Sequence, residues 1–450
     1  MHKISFRLLG LLAAGFLASA PALAALPIQN WKQASGAQVY LVESKTIPMV
    51  DVRIEFDGGS RRDPATKSGL ASVSAAMTSK GVRAAGNQPA LDENQLGEAW
   101  ADLGAGFGGD ASEDRMSFSL RSLTDPKLLD QAVLLASRQL AEPSYPADVW
   151  ARERDRISNA IKEADTRPGT VAAKAFNKAV FGTHPYGYEP TVESLAAIGV
   201  EDLRAFHAAH VMPCRAKVSV VGNVDRAQAD TLVQRLLARL PQNGACPALP
   251  PVPEVSALAA PAVNAIPFQS AQAHVFIGQP GYKRSDPDYF PLLVGNYILG
   301  GSGLVSRLSD EVREKRGLAY SAYSYFAPGM HAGAFTLGLQ TRPDQAAQAI
   351  KIARDVVADY VAKGPTAEEM KAAKDNLIGG FALRIDSNRK LLDNVAAIAW
   401  YGLPLNYLDT WTQQIEKVTL AEVRQAMARK LQPDRMVTVT VGAAPTTAAR

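Results

Sequence analysis

The segment VEDLRAFHAAHVMPCRAKVSVVG, Val200 to Gly222, recurs without gaps as LAEVRQAMARKLQPDRMVTVTVG, Leu420 to Gly442. Pro213 and Gly222 fall on Pro433 and Gly442 at a single offset, 433 − 213 = 442 − 222 = 220. In each copy a helical pattern runs through a proline into a short apolar strand, a unit too small to bury its own faces. Ser68-Gly69-Leu70 likewise matches Ser302-Gly303-Leu304, and the helices expected after both run on to a glycine, Gly81 and Gly317. Two homologous halves follow, and 450 residues is in any case too long for one compact core.

The stretch YILGGSGLVSRLSDEVREKRGLAYSAYSYF, Tyr297 to Phe326, carries the most chemistry. After the cluster Gly300, Gly301 and Gly303, the apolar Leu304, Leu308 and Val312 recur at helical spacing, predicting an amphipathic helix from about Ser302 that ends at Gly317. From Leu318 the pattern alternates through Tyr320, Tyr323 and Tyr325, the mark of a strand. Arg313 then stands in the last helical turn and Tyr320 just inside the strand, with both polar tips directed to one region.

The string S-R-L-x-x-x-x-R-E-x-x-G-L-A-Y, Ser306 to Tyr320, resembles the C-terminal-half signature of the insulinase/pitrilysin zinc peptidases, which include the mitochondrial processing peptidases. The resemblance implies an α+β fold of two homologous halves, each a mixed, mostly antiparallel sheet flanked by helices, together forming one half of a clamshell. It also implies that Arg313 and Tyr320 reach across a chamber to a substrate held at the metal. Arg307 and Arg316 lie nearby, but only Arg313 stands at the family spacing from Tyr320.

In that family the metal is held by H-x-x-E-H on a helix of the other half. This chain has neither H-x-x-E-H nor H-E-x-x-H. The corresponding helix is still legible in GGSRRDPATKSGLASVSAAMTSKG, Gly58 to Gly81, where alignment on Gly69-Leu70-Ala71 and Met77 puts Ser72 and Ala76 at the histidine positions and Ala75 at that of the catalytic Glu. WARERDRISNAIKEAD matches the second acidic helix, with Glu153 retained and Ala160 at the ligand position. Zinc needs imidazole, thiolate or carboxylate, so the resemblance implies a dismantled site and no cofactor in this chain.

Met1 to Ala24 has a basic start at Lys3 and Arg7, an apolar run from Leu8 to Ala18 and an Ala22-Leu23-Ala24 ending, which predicts a signal peptide. Removing its two cations from the formal +4 leaves 4 − 2 = +2, a balance that offers nothing to nucleic acid or an anionic membrane surface. The run is too short to span a bilayer, so a periplasmic or secreted product without a membrane anchor is expected. Cys214 and Cys246 are open to a bridge or to two free thiols; a bridge would contribute roughly 3 to 4 kcal/mol.

The expected organisation is a leader at 1–24, a half with the degenerate metal site at 25–243, a Pro/Ala-rich linker at 244–267 and a half with the Arg/Tyr motif at 268–450. Gly104, Gly106 and Gly109 make a glycine-rich turn before a strand with Met116, Phe118 and Leu120 on one face; the helix–loop–strand order is the reverse of a dinucleotide-binding unit. In the family this strand is an edge to which an extended peptide can pair. His184 reads as a loop residue, and His207 and His210 as a solvated or hydrogen-bonded pair.

Peptide hydrolysis by zinc needs an activated water, a base and oxyanion donors, and this chain supplies only the donors, Arg313 and Tyr320. The expectation is a noncatalytic subunit of a periplasmic heterodimeric zinc peptidase. Its partner would be a homologous H-x-x-E-H chain carrying the zinc, and its substrate an extended peptide. A non-proteolytic scaffold and a peptide-binding homodimer of the same fold are the alternatives.

Overall fold

The computed structural model describes residues 27–242 and 246–442, so the expected leader at 1–24 lies outside the described residues. In chain order the strands are Gln29–Lys32 (β1), Gln38–Glu43 (β2), Met49–Phe56 (β3), a ribbon of Gly81–Val82 (β4) and Leu91–Asp92 (β5), Gly106–Ala111 (β6), Met116–Leu123 (β7) and Lys217–Gly222 (β8). The second half adds Val263–Ile266 (β9), Ala273–Pro280 (β10), Ala319–Phe326 (β11), Ala334–Thr341 (β12) and Val437–Val441 (β13). One sheet has the order β1-β2-β8-β3-β7-β6 and the other β9-β13-β10-β12-β11. Within these sheets β2–β8 and β13–β9 run parallel and all other pairs antiparallel.

The fold is α+β with mixed, mostly antiparallel sheets, and the duplication runs deeper than the segment that revealed it. Helices Pro126–Ala141, Ala147–Ala164, Pro168–Phe181 and Val200–His210 have counterparts beginning at Ala346, Ala367, Asn388 and Leu420, each 220 residues later (346 − 126, 367 − 147, 388 − 168, 420 − 200). The edge strands β6 and β11 therefore occupy equivalent places, each beside the strand, β7 or β12, that runs on toward the first of these helices.

Alternation along the strands gives each sheet two apolar faces. Val39, Leu41, Val50, Val52, Ile54, Phe56, Val218 and Val220 pack with their own half's helices, Leu70–Met77 and Arg226–Leu237 among them. The intervening Tyr40, Val42 and Val221 face the other way and meet Leu391, Leu392, Val395, Ile398 and Ala399 of Asn388–Tyr401, a helix from the second half. The exchange is reciprocal: Ala172, Phe176 and Val180 of Pro168–Phe181 pack on Val437, Val439 and Val441 of β13. Gly278 on β10 makes room for this, since a Cβ there would lie 2.8 Å from the Phe176 ring. Lys217 closes the other crossing by donating to the carbonyls of Ala399 and Trp400 at 2.9 Å, at the end of the helix where cations are favoured.

Three expectations change. Pro168–Phe181 went unmarked in the sequence, although Ala172, Phe176 and Val180 recur every four residues. The glycine stretch read as a turn is itself strand β6 and forms the sheet edge, while the strand of Met116, Phe118 and Leu120 lies inside it between β3 and β6. Small residues form a strand here because pairing to β7 supplies the hydrogen bonds that their propensity does not favour. Last, the proline-rich segment is not linker to its end: Val263–Ile266 is β9, the parallel edge of the second sheet.

The described part of the linker lies along the body. Cys214 and Cys246 are joined by a disulfide. Arg215 donates to the Pro247 carbonyl, Arg62 to that of Pro250, and Glu254 takes Lys283 at 2.6 Å and His331 at 3.2 Å. No helix among the described residues is long and apolar enough to cross a membrane.

Candidate functional site

Arg313 and Tyr320 are set by an unusual turn. The helix expected from Ser302 starts late: Gly303–Val305 is one 3-10 turn, with Leu304 and Val305 exposed, and regular winding begins at Arg307. Ser309–Glu314 then winds as a π-helix, with Leu308 and Val312 fully buried. A π turn inserts one residue and rotates those after it, and such turns cluster at functional sites. Gly317, at φ 60°, reverses the chain into β11 as expected. Gly300 lets the preceding loop touch that strand, because a Cβ would lie 2.4 Å from the Ser324 nitrogen. Asn296 donates to the Ser324 carbonyl at 3.0 Å and accepts from its hydroxyl at 2.8 Å.

β11 pairs with β12 through a bulge between Ala319 and Ala322, which frees Tyr320 from the ladder; 82% of its surface is exposed. The Arg313 guanidinium lies over the Tyr320 ring, 5.0 Å from its centroid. Its remaining ion pair is a 3.4 Å contact with neighbouring Glu314. The other two arginines of the motif are taken. Arg307 makes a bidentate pair with Glu369 at 2.6 and 2.7 Å, and Arg316 binds Glu311 at 2.5 Å. Asp310, three residues before Arg313, is held by Lys315 at 2.7 Å. Of the three, Arg313 is the one whose donors are largely uncommitted.

Ser72, Ala75 and Ala76, with Ala160, lie on two helices of the other half, Leu70–Met77 and Ala147–Ala164. Helix Leu70–Met77 has Ser72 and Ala76 exposed on one face, four residues apart, while Ala75 is fully buried. Asp63 caps this helix by accepting from the Gly69 and Ala71 nitrogens at 2.8 and 2.9 Å. Ala160 is exposed on Ala147–Ala164, two turns after Glu153. Glu153 accepts from Arg156 at 2.8 Å and meets Lys80 at 3.4 Å, while Glu93 takes Lys80 and Arg152 at 2.5 Å each. Burial alone would raise the Glu153 carboxyl, but the Arg156 hydrogen bond and the Lys80 charge outweigh it and hold it low. The Lys80 hydrogen bond does the same for Glu93. These ion pairs tie helix Ala147–Ala164 to Lys80 and Glu93.

One hydroxyl and three methyl groups cannot hold zinc. Among the described residues no group of three or more His, Cys, Asp and Glu is placed to bind a metal ion. Of the two readings left open for His207 and His210, solvated or hydrogen-bonded, the solvated one does not hold, because both are buried. His210 Nδ1 bonds to the Phe206 carbonyl, and His207 packs edge-on against Phe118 and Tyr145 with burial pushing it down to about 4. His184 is the loop residue expected, accepting from the Tyr186 nitrogen at 3.1 Å.

The profile of the peptidase M16 inactive domain matches residues 197–377. A solved peptidase M16 inactive domain from Pseudomonas fluorescens is 34% identical, superposes with a TM-score of 0.87, and shares 93% of this chain and 98% of its own. The chain belongs to the insulinase/pitrilysin, or M16, peptidase family. Within it, an uncharacterized zinc protease of Streptomyces coelicolor is 33% identical over 62% of this chain, and the chain spans 61% of that relative's length. The periplasmic protease PqqL of Escherichia coli shares the fold at 18% identity, with a TM-score of 0.76; 98% of this chain covers 49% of that one. The chain lacks H-x-x-E-H and carries the string S-R-L-x-x-x-x-R-E-x-x-G-L-A-Y at Ser306 to Tyr320.

Proposed function

We propose that this M16 chain is the noncatalytic subunit of a periplasmic two-chain zinc peptidase. It presents Arg313 and Tyr320 to an extended peptide bound at the zinc of a homologous H-x-x-E-H partner. The observation that carries the reading is the pairing of a metal helix without ligands with an arginine whose donors are nearly free, stacked on an exposed tyrosine at a sheet edge. Guanidinium and phenol donors held in this way stabilise the oxyanion of a tetrahedral intermediate. Coverage of about half of PqqL supports treating the chain as one of two such units. Export rests on the leader at 1–24, and the zinc belongs to the partner.

The test is to purify the chain alone and with candidate H-x-x-E-H partners and to assay peptide cleavage. Arg313→Ala and Tyr320→Phe are each expected to lower turnover of the pair by about 10²- to 10³-fold without dissociating it. Cleavage by the isolated chain with stoichiometric zinc, or full activity of the doubly substituted pair, overturns the proposal. The open edges β6 and β11 favour one second reading, a peptide-binding homodimer. It predicts peptide binding and dimeric mass with no partner present.

A further inference from the structure

Where the halves meet, a cavity of about 480 Å³ is lined by Arg115, Asn177, Phe181, Tyr186, Tyr325 and Tyr401 and also by the carboxylates Glu113 and Asp114, of which Asp114 is paired with Arg61 at 2.9 Å. Arg313, Tyr320, Ser72, Ala75, Ala76 and Ala160 do not line it. Asn177 is spent on Glu189 at 2.8 Å, but two of the cavity's polar groups are short of partners. Arg115 makes a single ion pair, 2.9 Å to Glu55 Oε1, and its guanidinium donates no hydrogen bond to any described residue. An arginine has five N–H donors in a planar fork, so most of this one's capacity is unspent. Tyr401, also in the lining, makes no hydrogen bond through its hydroxyl to a described residue, and the Arg284 guanidinium lies 5.9 Å from its ring. Tyr186 differs: its hydroxyl is used up on Asp114 at 2.6 Å and on the His331 nitrogen at 3.1 Å, so it serves as a wall.

Behind Arg115, Glu55 Oε2 and the indole nitrogen of Trp400 have no hydrogen-bond partner among the described residues, and the guanidinium lies 5.5 Å from the Trp400 ring. The donors in the cavity lining that are left to meet a ligand are those of Arg115 and Tyr401. Planar unspent donors select a planar, two-oxygen acceptor, and the aromatic walls select an apolar body of the size that small-molecule sites enclose.

We propose that this seam cavity binds a carboxylate carried on an aromatic or apolar body, with Arg115 and Tyr401 as its donors. The carboxylate can come from a free small acid or from the C-terminus of a short peptide. This does not depend on a zinc-bearing partner, so the isolated chain suffices for the test.

Titration calorimetry with phenylacetate, with Ala-Ala-Phe and with its C-terminal amide separates the sources. Binding of either free carboxylate, with the amide at least tenfold weaker, supports the proposal. Phenylacetate alone assigns the site to small acids, and Ala-Ala-Phe binding assigns it to peptide ends. Equal binding of acid and amide, or no binding of either acid, overturns it. Removing Arg115 alone would strand Glu55, so the variant is Glu55→Gln with Arg115→Met, checked for a wild-type fold by circular dichroism. It should weaken binding at least tenfold, and Tyr401→Phe several-fold. Unchanged affinity in the double variant also overturns the proposal.

Discussion

Glu55 gives the sharpest test of how the halves are joined. Its side chain projects from β3 on the same face as Lys217, its cross-strand neighbour, and it is 1% exposed. Loss of water pushes its carboxyl up from the ordinary 4.5 to about 7, and the opposing charges of Arg115, Arg53 and Lys217 do not compensate. The folded protein therefore favours protonated Glu55. The stability this contributes is fully present below the ordinary value and is lost as pH rises through about 7. Each decade of proton affinity is worth about 1.4 kcal/mol, which makes the full loss roughly 3 kcal/mol, a large fraction of a typical domain's stability. Other buried groups titrate in the same window, Asp63 among them at about 7, so the informative quantity is a difference. Urea unfolding of wild type and Glu55→Gln, from pH 4.5 to 8.5, should show wild type losing about 3 kcal/mol more than the variant as pH rises. Parallel profiles would mean that Glu55 stays charged in the fold, and the argument from desolvation would be refuted.

Val395 is fully buried where the helix from the second half lies on the first sheet, so Val395→Ala should cost about 1 to 3 kcal/mol in denaturant unfolding and lower the midpoint of both halves together. Separate transitions would show that the crossing does not couple them. Replacing Cys214 and Cys246 by Ser opens a bridge between residues 32 apart and should cost about 4 kcal/mol in the chain-entropy model; a loss under about 1 kcal/mol would place the strap's hold in its hydrogen bonds instead. Since Ser72 and Ala76 share an exposed face, the combined Ser72→His, Ala76→His and Ala160→Glu variant should bind one zinc by metal analysis yet hydrolyse nothing, because Ala75 supplies no base. A variant that takes up no zinc would mean that the two helices have drifted from ligand spacing.

The sequence by itself determined the duplication and the absence of H-x-x-E-H, because these rest on residue identity and spacing, and its resemblance to the zinc peptidases implied the α+β class. A methyl group cannot ligate zinc in any fold. The offset of 220 residues, read from one segment, extended to four helices because duplicated chains keep the lengths between packed elements. Only the tertiary structure decided the rest. Glycines in β6 form a strand because β7 pairs with them, which no local propensity reports. Arg313 is distinguished from Arg307 and Arg316 by Glu369 and Glu311, and Glu369 lies far along the chain. The crossed helices Pro168–Phe181 and Asn388–Tyr401 bury their apolar faces on the opposite sheet. A helical period states that a face must be covered; which surface covers it is set by the arrangement of both halves.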